Sequence, residues 1–197
     1  MVVNLVLKSM DKYRLAFYTV IIAKIVLSGL FSSGYVSDNF IIFVNWFIQN
    51  FQNPWQYFYQ NKLGVSFNYP PLMLLVLTPF VWIIDVLAIE NVFARNVIFK
   101  APYLMADISI LLLLNRLYPE KTRAFFILYF LSPIVIFSTY IISFFDIIPT
   151  AICFASMYFL SKQQFKISAL FYALAILTKT LILTFSQGPH STHASKK

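Results

Sequence analysis

Glycine is scarce in this chain, with four in 197 residues. A phosphate-cradling loop needs clustered glycines so that backbone amides can approach the anion. No such loop occurs, so a nucleotide-sugar donor held in a soluble Rossmann-type domain finds no support. Cys153 is the sole cysteine and lies inside an apolar run, which excludes a disulfide framework and a thiolate metal site. The two histidines, His190 and His193, fall in the last eight residues, in keeping with a tail. Neither a His-Glu zinc pattern nor a nucleophile elbow is present. Acids number seven, and charged residues make up only 11% of the chain against 60% hydrophobic ones. Soluble globular domains carry roughly 25% charged residues, which argues against a soluble fold.

What the chain has in quantity is apolar length. Residues 15–31 (LAFYTVIIAKIVLSGLF), 72–89, 97–117, 124–142, 147–160 and 167–185 are apolar segments. They match or approach the roughly 20 residues a helix needs to cross the hydrocarbon. The predicted fold class is an all-α, multi-pass membrane protein. The net charge is +8, but the cations sit in short clusters beside apolar segments, as membrane anchors do. No basic stripe with a recognition fold points to nucleic acid. Residues 1–14 form a head with Lys8, Lys12 and Arg14, which predicts a cytoplasmic N-terminus by the positive-inside rule. The first apolar run lacks a small-residue cleavage site and is expected to remain as a signal anchor. Lys24 inside it is expected to snorkel or to face protein. Residues 15–185 form the transmembrane module, and the small, polar residues 186–197 read as a disordered tail.

Between the first two runs lies a polar loop, residues 32–71, with the lone acid Asp38 near its start. Ser37 or Asp38 can cap a helix whose apolar positions Phe40, Val44, Phe47 and Phe51 follow helical spacing. Such a helix is expected to lie along the membrane interface, with Trp46, Trp55, Tyr57 and Tyr59 at headgroup level. Asn53-Pro54 predicts the start of a second short helix, and Tyr69-Pro70-Pro71 an extended stop.

Two topologies follow. If every run crosses once, the basic loops 115–123 and 161–166 both land outside, against the charge rule. If residues 72–89, which contain Pro79 and Asp85, stay in the outer half or dip and return, about five crossings remain. Both basic loops then move inside, and Asp146 comes out on the side of Asp38. Asp107 falls in mid-helix, and Lys179 lies toward the outer end of the last run. This second arrangement is preferred, although it puts Arg95 and Lys100 outside. The six-span arrangement is the alternative.

Asp38, Asp85, Asp107 and Asp146 lie in or beside apolar runs. A charge at the bilayer centre costs roughly 2.5–3.5 kcal/mol on insertion scales, so acids kept there are functional candidates. The residues alone leave each role open. Asp38 and Asp146 read equally as helix caps. Asp107 can pair with a cation such as Lys100. Lys179 reads as an anchor for a lipid-linked phosphate or as a snorkelling residue. Asn68, Thr139 and Tyr140 are of the kind that hydrogen-bond sugar hydroxyls.

The order of these features resembles the N-terminal part of the GT-C fold glycosyltransferases, closest to the mannosyl- and glucosyltransferases that use polyprenyl-phosphate sugars. The resemblance runs from about residue 15 to residue 183. It lies in the acid after the first span (Ser37-Asp38-Asn39) and the loop end Asn68-Tyr69-Pro70-Pro71-Leu72. It continues through Ala106-Asp107, Leu131-Ser132-Pro133, Phe145-Asp146-Ile147-Ile148-Pro149 and Leu177-Thr178-Lys179. The resemblance implies that Asp38 is the general base for an acceptor hydroxyl. It implies that Asp146 supports a metal ion or the acceptor, and that Lys179 contacts the donor phosphate. Asp107 and Tyr69 would bind substrate. A divalent metal ion at Asp38 and Asp146 stays open, with no cofactor established. Asp38 lacks the second acid that some members place beside it, and these enzymes continue with further helices. A truncated or inactive form is therefore also expected. The implied function is transfer of a mannose-like hexose to an extracytoplasmic glycan or lipid acceptor, in the plasma membrane or endoplasmic reticulum. The expected partners are membrane lipid, the lipid-linked donor and that acceptor. The alternative is a non-catalytic multi-pass subunit or a small transporter whose acids line a polar path.

Overall fold

Helices supply all the regular secondary structure of the computed structural model, which describes residues 14–179 apart from the side chains of Tyr35, Ser37 and Asp38. The head up to residue 13, residues 180–185 of the last apolar run and the tail 186–197 lie outside the described residues. The first run forms α1 (Arg14–Leu30). In the loop, a π-helical turn (Tyr35–Phe40) leads directly into α2 (Ile41–Asn50). Helical structure thus starts upstream of the predicted caps, with Gly34 at the N-cap position and Ser37 and Asp38 inside the turn. Val36 explains the early start: it is fully buried and ties the turn to the core.

The short helix α3 (Pro54–Gln60) begins where Asn53-Pro54 predicts, with Asn53 Oδ1 accepting the Gln56 N–H at 3.2 Å. Pro70 is extended (ψ 164°), and Pro71 opens α4 (Pro71–Val86). There follow α5 (Val92–Phe99) and α6 (Ala101–Leu117). The next segment is broken. A 3-10 turn (Pro119–Lys121) and α7 (Thr122–Phe125) run into a π turn (Phe126–Phe130). Then α8 (Pro133–Ile136) runs into a second π turn (Phe137–Ile141). The hairpin of α9 (Ile147–Ser161) and α10 (Phe165–Thr178) completes the described chain.

The chain bends by 42° between α5 and α6 and by 48° between Phe130 and Pro133. Pro102 and Pro133, in the first turns after the breaks, cannot donate to the preceding turn, and the helical ladder stops there. Each bent pair has the length and composition of a membrane span, and no single helix among the described residues does.

Contacts between segment ends order the bundle. The Lys100 ammonium donates to the carbonyl of Phe31, just past α1, and to that of Tyr140 at 3.1 Å. Asp146, before α9, pairs with Lys179, after α10. Phe145 packs on Phe40 and Tyr69 of the loop, with ring centroids 4.7 and 5.0 Å apart. One end of the bundle therefore gathers the loop, the C-terminal ends of α1, of the second π turn and of α10, and the N-terminal ends of α6 and α9. The basic loops 115–123 and 161–166 lie at the opposite end. Because α5 joins α6 through a modest bend, the chain approaches α5 from the loop side. Helix α4, 16 residues and about 24 Å long, packs on α2, α5 and α10.

The main core lies beneath the loop, where Phe40, Phe43, Val44, Phe58 and Phe67 meet Met73, Leu74 and Leu77 of α4. The buried stripe of α2 thus runs through Phe43 and Val44. Phe51, predicted to share it, is 80% exposed. It ends α2 in the left-handed conformation (φ 51°). The shortage of glycine shows here: Phe51, Ala88, Ser143 and Gln163 all take positive φ just past helical segments, a position that usually falls to glycine. Gly29 answers a different need, since a Cβ there would lie 2.2 Å from the Phe93 ring where α1 meets α5. Around the bundle, apolar side chains such as Ile22, Met105, Leu128, Ile134, Met157 and Leu170 are exposed.

Candidate functional site

Helices α1 and α6 each bring one charge into the bundle interior. Lys24 Nζ donates to Asp107 Oδ2 at 2.6 Å, and the side chains are 1 and 0% exposed. The Tyr140 hydroxyl donates to the same oxygen at 2.5 Å. The Phe130 ring lies 3.5 Å below the ammonium, and the Tyr129 hydroxyl faces the carboxylate outside hydrogen-bond geometry. These three aromatic residues come from the two π turns. The wider π turn shifts helical phase, and both turns present their rings to the pair.

Asp107 does not pair with Lys100. The bend at Lys100 sets that residue beside the C-terminal end of α1, whose carbonyls lack helical partners and attract a cation. Lys24 therefore faces protein rather than snorkelling. Asp107 is fully buried, with Oδ2 accepting from Lys24 and Tyr140 and Oδ1 without a hydrogen-bond partner, so it does not reach the loop end of the bundle. Tyr140 is likewise unavailable to a sugar, since its hydroxyl is engaged by Asp107.

A second ion pair lies at that loop end. Lys179 Nζ donates to Asp146 Oδ1 at 2.5 Å, with the side chains 24 and 52% exposed. Asp146 stands at the N-cap position of α9 but makes no side-chain capping bond. Its carbonyl accepts Thr150 Oγ1 at 2.6 Å, while its carboxylate turns to Lys179. Lys179 is not inside an apolar helix as the sequence predicts. Helix α10 ends at Thr178, and extended backbone at Lys179 (φ −155°, ψ 114°) lets its side chain meet Asp146. Beside the pair is a cavity of about 200 Å³, lined by Tyr129, Ser138, Thr139, Asp146 and Thr150 among others. Tyr129 belongs to this wall and also faces Asp107, so it links the two ion pairs.

Tyr69 closes the group. Its ring meets Phe145 edge-on, and its phenol is pushed up to about 12, first by burial and then by the Asp146 carboxylate. At neutral pH it is a hydrogen-bond donor and not a base. Asp38 is two residues before Phe40, whose ring packs on Phe145. The backbone of Asp38 is thereby brought to the end of the bundle that holds Tyr69, Asp146 and Lys179. Its side chain lies outside the described residues.

Asp146 Oδ1 accepts from an ammonium, and the other polar side chains lining the cavity carry hydroxyls, whereas divalent cations gather several carboxylate and carbonyl ligands; the Asp38 carboxylate, the other ligand implied, lies outside the described residues. Among the described residues no group of three or more His, Cys, Asp or Glu side chains forms.

No protein-family model, curated protein or solved structure matches this chain.

Sequence reasoning missed Lys24 as the partner of Asp107, the carbonyl cradle of Lys100 and the position of Tyr129. A signal for the first was present. Lys24 lies within the first apolar run and Asp107 within the third, and intramembrane charges of opposite sign pair across a bundle. Nothing in the sequence marks the π turns that aim Tyr129, Phe130 and Tyr140 inward.

Proposed function

We propose that this chain is the membrane-embedded, GT-C-like module of a glycosyltransferase that moves a hexose from a polyprenyl-phosphate sugar to an extracytoplasmic acceptor. The observation that carries the reading is the contact of Phe145 with Phe40 and Tyr69. It draws Asp38, Tyr69 and the Asp146–Lys179 pair to the end of the bundle that carries the loop. Exposed apolar side chains around the helices suit lipid. With the loop end outside, both basic loops face the cytoplasm as the charge rule asks, and the N-terminal end of α1 lies there too.

In this reading Asp38 takes the proton of the acceptor hydroxyl, and the acceptor oxygen attacks the anomeric carbon. The bond from that carbon to the phosphate oxygen breaks, and polyprenyl phosphate leaves with the electron pair. Lys179, held at the mouth by Asp146, offers the leaving phosphate its positive charge. Tyr69 donates a hydrogen bond, and no step requires a metal.

The Lys24–Asp107 pair favours a second reading, a non-catalytic subunit or transporter, since intramembrane charges often mark a polar path. Such a path needs water at the pair, and both of its groups are closed in by protein.

Transfer is measured in proteoliposomes supplied with a radiolabelled polyprenyl-phosphate hexose. Asp38→Asn is expected to insert normally and lose about 10²- to 10⁴-fold in rate, the range of a general base. Unchanged transfer overturns the assignment. In a Cys153→Ser background, Asp146→Cys is expected to label from outside and Glu120→Cys is not; the reverse overturns the orientation.

A further inference from the structure

A second cavity lies apart from Asp146, within the loop. It is an open cleft of about 770 Å³ formed by α2, α3 and the connector 61–68. Its floor is aromatic. Phe43 stacks on Phe67 (5.1 Å, 12°) and on Phe58 (5.2 Å, 23°). Trp55 meets Phe43 edge-on, and its indole N–H is fixed to the Phe67 carbonyl at 3.0 Å. The floor is therefore ordered by its own contacts, which lowers the entropic cost of binding.

The rim is polar. Gln56, Lys62, Ser66 and Asn68 are exposed, and Tyr59 is 86% exposed. Among the described residues, the side chains of Gln56, Lys62 and Asn68 have no hydrogen-bond partner. Lys62 and Gly64 both take positive φ (52° and 67°), and these turns fold the connector along the cleft. A Cβ at Gly64 would meet nothing within 4 Å, so glycine serves the backbone there and not the packing. Phe67 belongs to the floor and also packs on Phe40 and Tyr69, at 5.4 and 5.7 Å. The cleft is thereby continuous with the outer group of Tyr69, Asp146 and Lys179.

These features select among ligands. An acyl chain would leave the polar rim unpaired. An anionic headgroup would be met by a single cation, Lys62. A pyranose offers C–H faces to aromatic rings and hydroxyl edges to amides, which both donate and accept. We propose that the cleft is a carbohydrate subsite for a neutral pyranose unit. Its assignment to the acceptor rests on the glycosyl-transfer reading; the binding of sugar does not.

The test uses the full chain in nanodiscs, with Trp46→Phe and Trp82→Phe leaving Trp55 as the reporter. The protein is titrated with mannobiose, with cellobiose and, as an anionic probe, with inositol phosphate. A saturable change in Trp55 emission is expected with a neutral disaccharide. Tyr59→Ala or Asn68→Ala is expected to weaken binding about fivefold to tenfold, and Lys62→Ala by less than about twofold. Saturation by inositol phosphate alone, lost in Lys62→Ala, overturns the proposal, as does the absence of saturation by every probe. Asp38→Asn is expected to keep sugar binding. Wild-type protein that binds sugar but transfers none refutes the transferase reading and leaves the subsite standing. Wild-type protein that transfers, while Tyr59→Ala leaves sugar binding and acceptor KM unchanged, refutes the subsite alone.

Discussion

Replacing Lys24 by Met tests whether the buried ion pair clamps the bundle. At 2.6 Å, an effective dielectric of about 20 gives an attraction of about 6 kcal/mol. Removing two ions from water costs several kcal/mol each, so the intact pair lies near balance. Breaking it is another matter: a buried charge without its partner costs about 3–5 kcal/mol. Lys24→Met should fall at the lower end, because Tyr140 still donates to the carboxylate. Asp107→Asn should fall higher. The ammonium then keeps the Phe130 face 3.5 Å away, which contributes only about 0.5–2 kcal/mol. The double variant Lys24→Met/Asp107→Asn removes both charges and should cost no more than the worse single variant. Reversible unfolding in mixed detergent micelles, read by circular dichroism, supplies the three differences. If the double variant costs the sum of the singles, the charges are not coupled in the fold and the clamp is refuted.

Two further outcomes follow from the geometry. The Tyr69 phenol titrates near 10.0 in the unfolded chain and about 12 in the fold. Between those values the folded state holds a proton that the unfolded state has released. Its contribution is therefore complete below pH 10 and is lost as pH rises toward 12. Thermal denaturation across that window should show a smaller decline in Tyr69→Phe, and a reduced one in Asp146→Asn. In the α9–α10 hairpin, Ser156 and Ser168 each donate to the other's backbone carbonyl at 2.9 Å, and their hydroxyls lie 3.1 Å apart. Ser156→Ala should lower stability by about 0.5–1.5 kcal/mol. Ser156→Ala/Ser168→Ala should cost less than the summed single changes; strict additivity would refute the shared clasp.

The local starts and stops of the loop were legible because single residues decide them. Asn53 caps α3, Pro54 opens it, and Pro70 ends the connector. The acids worth inspecting were legible too, since charge stands out against apolar runs. The caps at Ser37 and Asp38 were misread because burial of Val36, a tertiary effect, extends the helical segment upstream. Lys100, one cation open to Asp107 by sequence, turns elsewhere because sequence separation along α6 says nothing of the bend that faces it toward α1.

Composition and hydrophobic run length alone determined that the described chain is helical, and they located the loop and its charges. Both properties follow from local backbone chemistry and from the cost of burying polar groups, which each segment carries by itself. Only the tertiary structure decided the pairings, with Lys24 on Asp107, Lys179 on Asp146, and Phe145 against both Phe40 and Tyr69. Those depend on bends, π turns and segment directions, which set which side chains meet across the bundle and which one-dimensional spacing does not encode.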